Sequence, residues 1–343
     1  MNLVPDGCSS SDGRRQSTTE TKGGAAAACA QTENERLVFA ILDSMPKPPR
    51  LTQTQLVRLH TLEPALRHAV HTGDYEGAKR ITADIQAILR PTGHETRLMR
   101  AKNWFFEAAM EAGHLDIAEA GFEGVRKKTA RGTRVHLEAT ALLAVCYLRK
   151  NNPDDAEPLM AEVLKRERSI PSEERRQQFI RRVVGRFHEE AALGSLRGAG
   201  GDILHPSDVH DAAGRLVQTM SEDELFAEVA RSLPQATIAL LLKVDRLAKK
   251  GLPPRDLKYL PSERQLVEDG KLGLTVFGGI KRLLYRSLCD PQSEIYQAWF
   301  NRGMMVVLDK KYFAIAVTVA LANMGAGIKA LAISATALLV KFG

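Results

Sequence analysis

Aromatic side chains make up only 6% of the 343 residues, and the four cysteines, Cys8, Cys29, Cys146 and Cys289, share neither a CxxC spacing nor a histidine at ligand distance. A disulfide-stapled scaffold and a zinc ribbon are thereby excluded, and a reducing compartment is the simple expectation. A dominant charge is missing too. Lys and Arg number 48 against 41 Asp and Glu, and a surplus of +7 on so many charges does not mark a nucleic-acid binder. Nucleic acid is therefore not an expected partner; the surplus tilts toward acidic partners or an anionic membrane surface. Catalytic constellations are lacking as well. Residues 205–300 hold no nucleophile–base pairing and no phosphate loop, so neither enzyme activity nor a cofactor is expected. His188-Glu189-Glu190 falls short of a helical zinc-protease motif, because Ala192 stands where the second His is needed. His205, Asp208, His210 and Asp211 lie within seven residues, but Pro206-Ser207-Asp208 reads as a helix start and no further ligand cluster follows. No metal is expected there.

What is present is a chain 44% apolar and 26% charged, enough to bury two or three packed units. Residues 1–33 stand apart. Rich in Ser, Thr and Gly, with almost no large apolar side chain, they cannot offset the entropy of ordering and are expected to form a disordered tail. The alanines at 25–28 ahead of Cys29 look like a lipoprotein cleavage box, but polar Thr19-Glu20-Thr21-Lys22 occupies the place of the apolar core a signal needs.

From Leu56 to about Leu196 apolar residues recur every three or four positions among abundant Ala, Leu, Arg and Glu, the period of amphipathic helices. Punctuation at Gly73-Asp74, Arg90-Pro91-Thr92-Gly93, Gly113-His114, Arg131-Gly132 and Asn151-Asn152-Pro153 cuts this region into helices joined by short turns. The segment Gly73-Asp74-Tyr75-Glu76-Gly77-Ala78 aligns with Gly113-His114-Leu115-Asp116-Ile117-Ala118 and with Asn151-Asn152-Pro153-Asp154-Asp155-Ala156, so a small Ala recurs after 40 and then 38 residues. In each, a residue tolerant of a left-handed backbone ends one helix and an Ala lets the next approach it closely.

On these residues the chain resembles the tetratricopeptide repeat family over roughly residues 56–170, under half its length. The third unit matches through Leu143-Ala144, Tyr147, Ala156, Met160 and Val163, the second through Gly113, Leu115, Ala118 and Phe122, the first through Gly73, Tyr75 and Ala78. The units depart from the family in being longer, in placing Phe106 where a small residue is expected, and in lacking or displacing the closing Pro. The resemblance implies stacked helical hairpins with a concave groove lined by the first helix of each pair; a generic helical bundle with similar turns would lack that groove.

In a stacked array the groove face carries His60, Glu63, Arg67 and His71 from the first unit, and Arg100, Asn103 and Glu107 from the second. Arg67, His71, Arg100, Asn103 and Glu107 are the expected partner-binding residues, because guanidinium forks pair with planar carboxylates and so suit an acidic segment of a protein partner. On an ordinary helix the same groups are solvated charges. Trp104, Phe105 and Phe106 fit a helix core. Between Lys165 and Arg186 eight basic residues accompany three acids, with Phe179, Ile180, Val183, Val184 and Phe187 at helical spacing among them. That pattern reads as a buried stripe with a basic outer face rather than as a phosphate-binding patch.

Arg197-Gly198-Ala199-Gly200-Gly201 packs almost nothing and marks a boundary. The repeat domain is therefore expected over 34–197, a Gly-rich linker over 198–204 and an α-helical connector over 205–311. Within the connector Ser221 and Glu224 form a capping box, Pro234 breaks the pattern, Gly251-Leu252-Pro253-Pro254 makes a rigid connection and Pro261-Ser262-Glu263 begins a short element. Phe277, Ile280, Leu283, Leu284 and Leu288 share a face opposite Arg282 and Arg286, as a helix does that covers a core or lies on a membrane.

From Tyr312 to Val340 the one charge is Lys329, and about 20 apolar residues already span a bilayer core. Residues 312–343, led by Lys310-Lys311, are expected to associate with a membrane, the preceding domain staying on the cytoplasmic side of a bacterial inner membrane. Tyr312, Ala322, Ala326, Lys329, Ala330 and Ser334 are the expected membrane-associating residues, four of them forming a small-residue stripe suited to homo-oligomers. Lys329 opposes a clean span, at a cost of roughly 2.5–3.5 kcal/mol near mid-bilayer. Asn323, Gly325 and Gly327 suggest instead two short helices turning near Met324, re-entrant or packed as an Ala-rich hairpin against the body.

The expectation is thus all-α: a tetratricopeptide-like array, a helical connector and a C-terminal hydrophobic helical segment. Its function would be that of a scaffold that binds a protein partner in the groove and localises it to the inner membrane. The alternative is a sensor–effector of a bacterial conflict system whose C-terminal segment oligomerises and disrupts the membrane.

Overall fold

The computed structural model describes residues 48–165, 170, 172–252, 254–257, 262, 265, 270–289, 296–297 and 311–342. The expected tail 1–33, Arg166-Glu167-Arg168, Pro261, Lys310 and the side chains of Arg286 and Leu288 lie outside them. Two units divide the chain, Met1–Arg50 and Leu51–Gly343. Of the first, residues 48–50 are described, exposed and without helix. The second is all-helical among the described residues, apart from one isolated backbone bridge between Gly200 and Gly327.

Its helices are α1 (Gln53–Thr72), α2 (Tyr75–Leu89), α3 (Glu95–Glu111), α4 (Leu115–Lys128), α5 (Arg134–Arg149), α6 (Pro153–Lys165) and the long α7 (Glu173–Leu196). After a loop come α8 (Pro206–Thr219), α9 (Glu222–Arg231), α10 (Gln235–Gly251), the single turn α11 (Pro254–Leu257), α12 (Lys271–Cys289), α13 (Lys311–Asn323) and α14 (Lys329–Phe342).

The repeated punctuation folds alike at each occurrence. Gly73, Gly113 and Asn151 take left-handed backbones at φ 70°, 90° and 54°. Each time the left-handed residue donates to the carbonyl three back and its successor to the carbonyl five back: Gly73 to Val70 and Asp74 to Ala69, Gly113 to Met110 and His114 to Ala109, Asn151 to Leu148 and Asn152 to Tyr147. These paired bonds satisfy helix-end carbonyls that would otherwise be orphaned. The recurring Ala78, Ala118 and Ala156 are all fully buried just inside the next helix. Upstream, Thr52 and Gln55 close a capping box on α1, as Ser221 and Glu224 do on α9.

Helix α1 packs on α2 and α3, α3 on α4 and α5, and α5 on α6 and α7. The first helices α1, α3 and α5 are therefore neighbours, an arrangement compatible with a helical repeat. Phe106, too large for its place in a regular repeat, is accommodated because Gly121 faces it: a Cβ there would come within 2.1 Å of the Phe106 ring. On α7 the stripe Phe179, Ile180, Val183, Val184 and Phe187 is buried as its spacing implies.

The Gly-rich stretch does not hang free. Gly198 donates to Met324 O, Asp202 N to Gly327 O at 2.9 Å, and Gly327 N to Ala199 O at 2.9 Å. The Asp202 carboxylate accepts from Lys329 N, capping α14 from outside its own sequence.

Of the two arrangements expected at the C-terminus, the pair of short helices is the one observed. Residues 312–342 form two short helices, not one span, with a turn at Met324 to Ile328 in which Gly325 has φ 69°. Helix α13 packs on α8, α12 and α14, and α14 also packs on α8 and α9. Tyr312, Ala326 and Ser334 are buried, whereas Ala322, Lys329 and Ala330 are exposed. The expected stripe is thus broken, because the turn puts Ala322 and Ala330 on different helices. Lys329 fits easily here. It sits at the start of α14 and pairs with Asp208 at 3.4 Å. Among the described residues no single helix is long and apolar enough to cross a membrane; α9 and α10 reach that length together but are bent by 105°.

Candidate functional site

Helices α1, α3 and α5 enclose, with α7 and Arg282 of α12, a cleft of about 810 Å³. Its position follows from the repeated turns, which bring the first helix of each pair side by side. All five residues expected to bind a partner, Arg67, His71, Arg100, Asn103 and Glu107, line it, as does Glu63. His60, exposed on α1, does not.

Seven arginines and four glutamates line the cleft. Three glutamates are locally neutralised: Glu63 pairs with Arg97 at 2.6 Å, Glu138 with Arg134 at 2.8 Å and Glu189 with Arg282 at 2.6 Å. Arg67, Arg100 and Arg182 make no ion pair with a carboxylate among the described residues. The Arg67 guanidinium instead lies over the Trp104 ring, 5.1 Å from its centroid, with no hydrogen-bond acceptor among the described residues. Trp104 is thus half core and half cleft wall, a role its sequence context did not suggest.

The floor belongs to α3. Asn103 is 1% exposed; its Nδ2 donates to Val135 O at 3.1 Å while its Oδ1 finds no donor among the described residues. One turn on, the Glu107 carboxyl also lacks a hydrogen-bond partner among the described residues. Burial pushes its pKa up to about 7; Glu111 adds to the rise, while Arg186, Arg149 and Arg182 oppose it.

Beneath the floor lies a network that holds the cleft's basic side in place. Arg149, 6% exposed, donates from Nε and Nη2 to the two oxygens of Glu190 at 2.8 Å each, from Nη2 to Glu111 at 2.6 Å and from Nη1 to Met110 O at 2.9 Å. Arg186 pairs with Glu111 and Glu190, and Arg282 donates to Glu189 and Glu190. Burial acts to raise the Glu190 pKa, but Arg149, with Arg186 and Arg282, outweighs it and holds the carboxyl below its ordinary value.

Sequence reasoning placed α3 and α1 correctly but described the basic run of α7 as an outer face. In fact Arg181, Arg182 and Arg186 line the cleft, and Arg176 is buried beside Ile170, to whose carbonyl it donates. The available signal was the alternation of Arg182, Arg186 and Glu190 at four-residue spacing, which sets a charged row beside the apolar stripe. Their partners Glu111 and Arg149 lie on other helices, so spacing alone could not reveal the contacts.

Chemically the cleft can hold anions. Cys146 offers no nucleophile: it is buried, and burial pushes its thiol up to about 12. Among the described residues no three His, Cys, Asp or Glu side chains group as metal ligands do. Compared with known proteins, the chain matches no family model, no curated protein and no solved structure.

Proposed function

We propose that this protein is an interaction scaffold whose tetratricopeptide-like array holds an acidic segment of a protein partner in the cleft. The observation that carries the reading is the set of three guanidiniums, Arg67, Arg100 and Arg182, that line one cleft without carboxylate partners among the described residues while almost every other charge there is paired. Unpaired arginines of known orientation are acceptor-seeking groups, and a peptide with spaced carboxylates satisfies several at once. The volume suits a few side chains and the backbone between them. The tetratricopeptide-like part of the reading rests on the three turns with the same paired hydrogen bonds and on the buried Ala that follows each. The C-terminal hairpin enters as part of the scaffold's core.

A fluorescein-labelled octapeptide of alternating Glu and Leu provides the test, by anisotropy against the full-length protein. Saturable binding that weakens steeply with salt and drops about tenfold in Arg100→Ala or Arg182→Ala supports the proposal, since a charge-assisted hydrogen bond is worth about 1.5–3 kcal/mol. Absence of binding, or binding indifferent to both substitutions, contradicts it.

A further inference from the structure

The cleft contains an arrangement that the scaffold reading alone leaves unexplained. Among the described residues the buried Asn103 Oδ1 lacks a donor, and one turn on along the same helix the half-buried Glu107 carboxyl makes no hydrogen bond to protein, both at the floor of a cleft rimmed by arginines. A buried amide oxygen without a donor is costly, and an ionised carboxylate beside it adds a second acceptor. Because Asn103 Nδ2 is fixed on Val135 O, its carboxamide cannot turn over to supply the missing hydrogen. A proton on Glu107 supplies a donor on the same helix face, one turn from that amide oxygen. It also removes the one negative charge in the cleft that no cation neutralises directly.

We infer that Glu107 makes occupancy of the cleft proton-linked: an acidic segment binds the form in which Glu107 carries a proton, and binding draws that proton from solvent. The inference rests on the proposal that the cleft holds an acidic segment. An ionised Glu107 repels incoming carboxylates and competes with them for Arg182 and Arg186, so anion binding and its ionisation oppose each other. The other charges that face Glu107 are set in pairs. Glu111 and Arg149 below it belong to the buried network, Glu63 and Arg97 pair on one side, Arg134 and Glu138 on α5, and Glu189 and Arg282 on the other. Arg67, Arg100, Arg181 and His71 complete the ring.

The pH window follows from the raised value of about 7: Glu107 is about one-tenth protonated at pH 8 and nine-tenths at pH 6, so a ligand selecting the protonated form binds about tenfold tighter at pH 6. The glutamates of the peptide probe stay ionised throughout, as ordinary carboxylates. Anisotropy of the labelled Glu–Leu octapeptide on the full chain at pH 6 and 8, at fixed salt, is the measurement. The expected result is a tenfold slope in the native protein and a flat profile in Glu107→Gln, which binds at pH 8 as tightly as the native chain does at pH 6. Titration calorimetry at pH 8 in buffers of different ionisation enthalpy gives an independent reading on the native protein alone, and uptake of nearly one proton per peptide is expected. Binding that depends on salt and on Arg100 but is equal at pH 6 and 8 overturns the inference and leaves the scaffold reading intact. A slope that survives in Glu107→Gln and disappears in His71→Asn also overturns it. No binding at either pH overturns the scaffold reading, and the linkage with it.

Discussion

The floor of the cleft and the C-terminal hairpin are both enclosed by protein, yet they are built from opposite materials. In the network beneath the floor, Arg149 and Glu190 are 6% and 2% exposed and pair with each other and with Glu111, Arg186 and Arg282, mostly across helix boundaries. In the hairpin, α13 and α14 bury Ala314, Ala316, Ala320, Ala332, Ala335 and Ala337 with a few small hydroxyl side chains. Thr318 and Ser334 bond back to carbonyls of their own helices, and the hairpin's polar bonds to its neighbours lie at its turn and ends, through Gly327, Lys329 and Lys341. The contrast shows that burial can be reached by pairing charges in three dimensions or by removing them from the sequence. The first leaves a shaped polar cleft beside it; the second leaves close helix contacts and no room.

The sharpest way to break this contrast is to take one charge from the floor. Arg149→Leu leaves Glu111 and Glu190 facing each other in a buried site, and is expected to cost about 3–5 kcal/mol in urea unfolding. A loss below about 1 kcal/mol would show that the network is not enclosed.

Next come two titrating groups, the cleft's Glu107 and the buried His188, whose effects run in opposite directions with pH. Glu107 has a folded pKa raised above its ordinary value, so it disfavours the folded state increasingly as pH rises from about 4.5 to 7. Glu107→Gln is therefore expected to stabilise the protein at pH 8, by on the order of 3 kcal/mol at most, and to leave it unchanged near pH 4. His188, buried on α7 without a partner for Nε2, is lowered to about 4 by burial, with Lys249 adding to the effect. Its cost appears as pH falls below 6.5 and is complete below about 4. The acid-side loss of stability should shrink in His188→Leu; an unchanged unfolding curve between pH 4 and 6.5 would place the imidazole in contact with solvent.

The smallest effects test the hairpin. Ala332→Leu forces a larger side chain into a fully buried face and is expected to cost about 1–3 kcal/mol. Ala330→Leu, two residues away but exposed, is expected to change stability by no more than about 0.5 kcal/mol. Equal effects at the two positions would mean that α14 does not lie as described.

The same contrast explains what the sequence disclosed. Turns read from Gly73, Gly113 and Asn151, and the Ala after each, are local signals, and the helices formed where they put them. The groove residues of α1 and α3 were legible because a helix face follows from spacing. Burial was not. The basic run of α7 looked like a solvated face because Glu111 and Arg149, which enclose Arg186, lie 75 and 37 residues away along the chain. For residues 312–343, length and hydropathy left one long helix and two short ones equally open. The turn at Gly325 divides the stretch and was hinted at by the glycines, whereas the pairing of Lys329 with Asp208 depends on a partner 121 residues distant.

The most direct measurement is photocrosslinking from the cleft wall. With benzoylphenylalanine in place of Trp104, irradiation with the labelled Glu–Leu octapeptide should give one adduct, lost on adding excess unlabelled peptide or in Arg100→Ala. Equal adduct yields from benzoylphenylalanine at Trp104 and at the exposed Ile203, outside the cleft, would contradict the account.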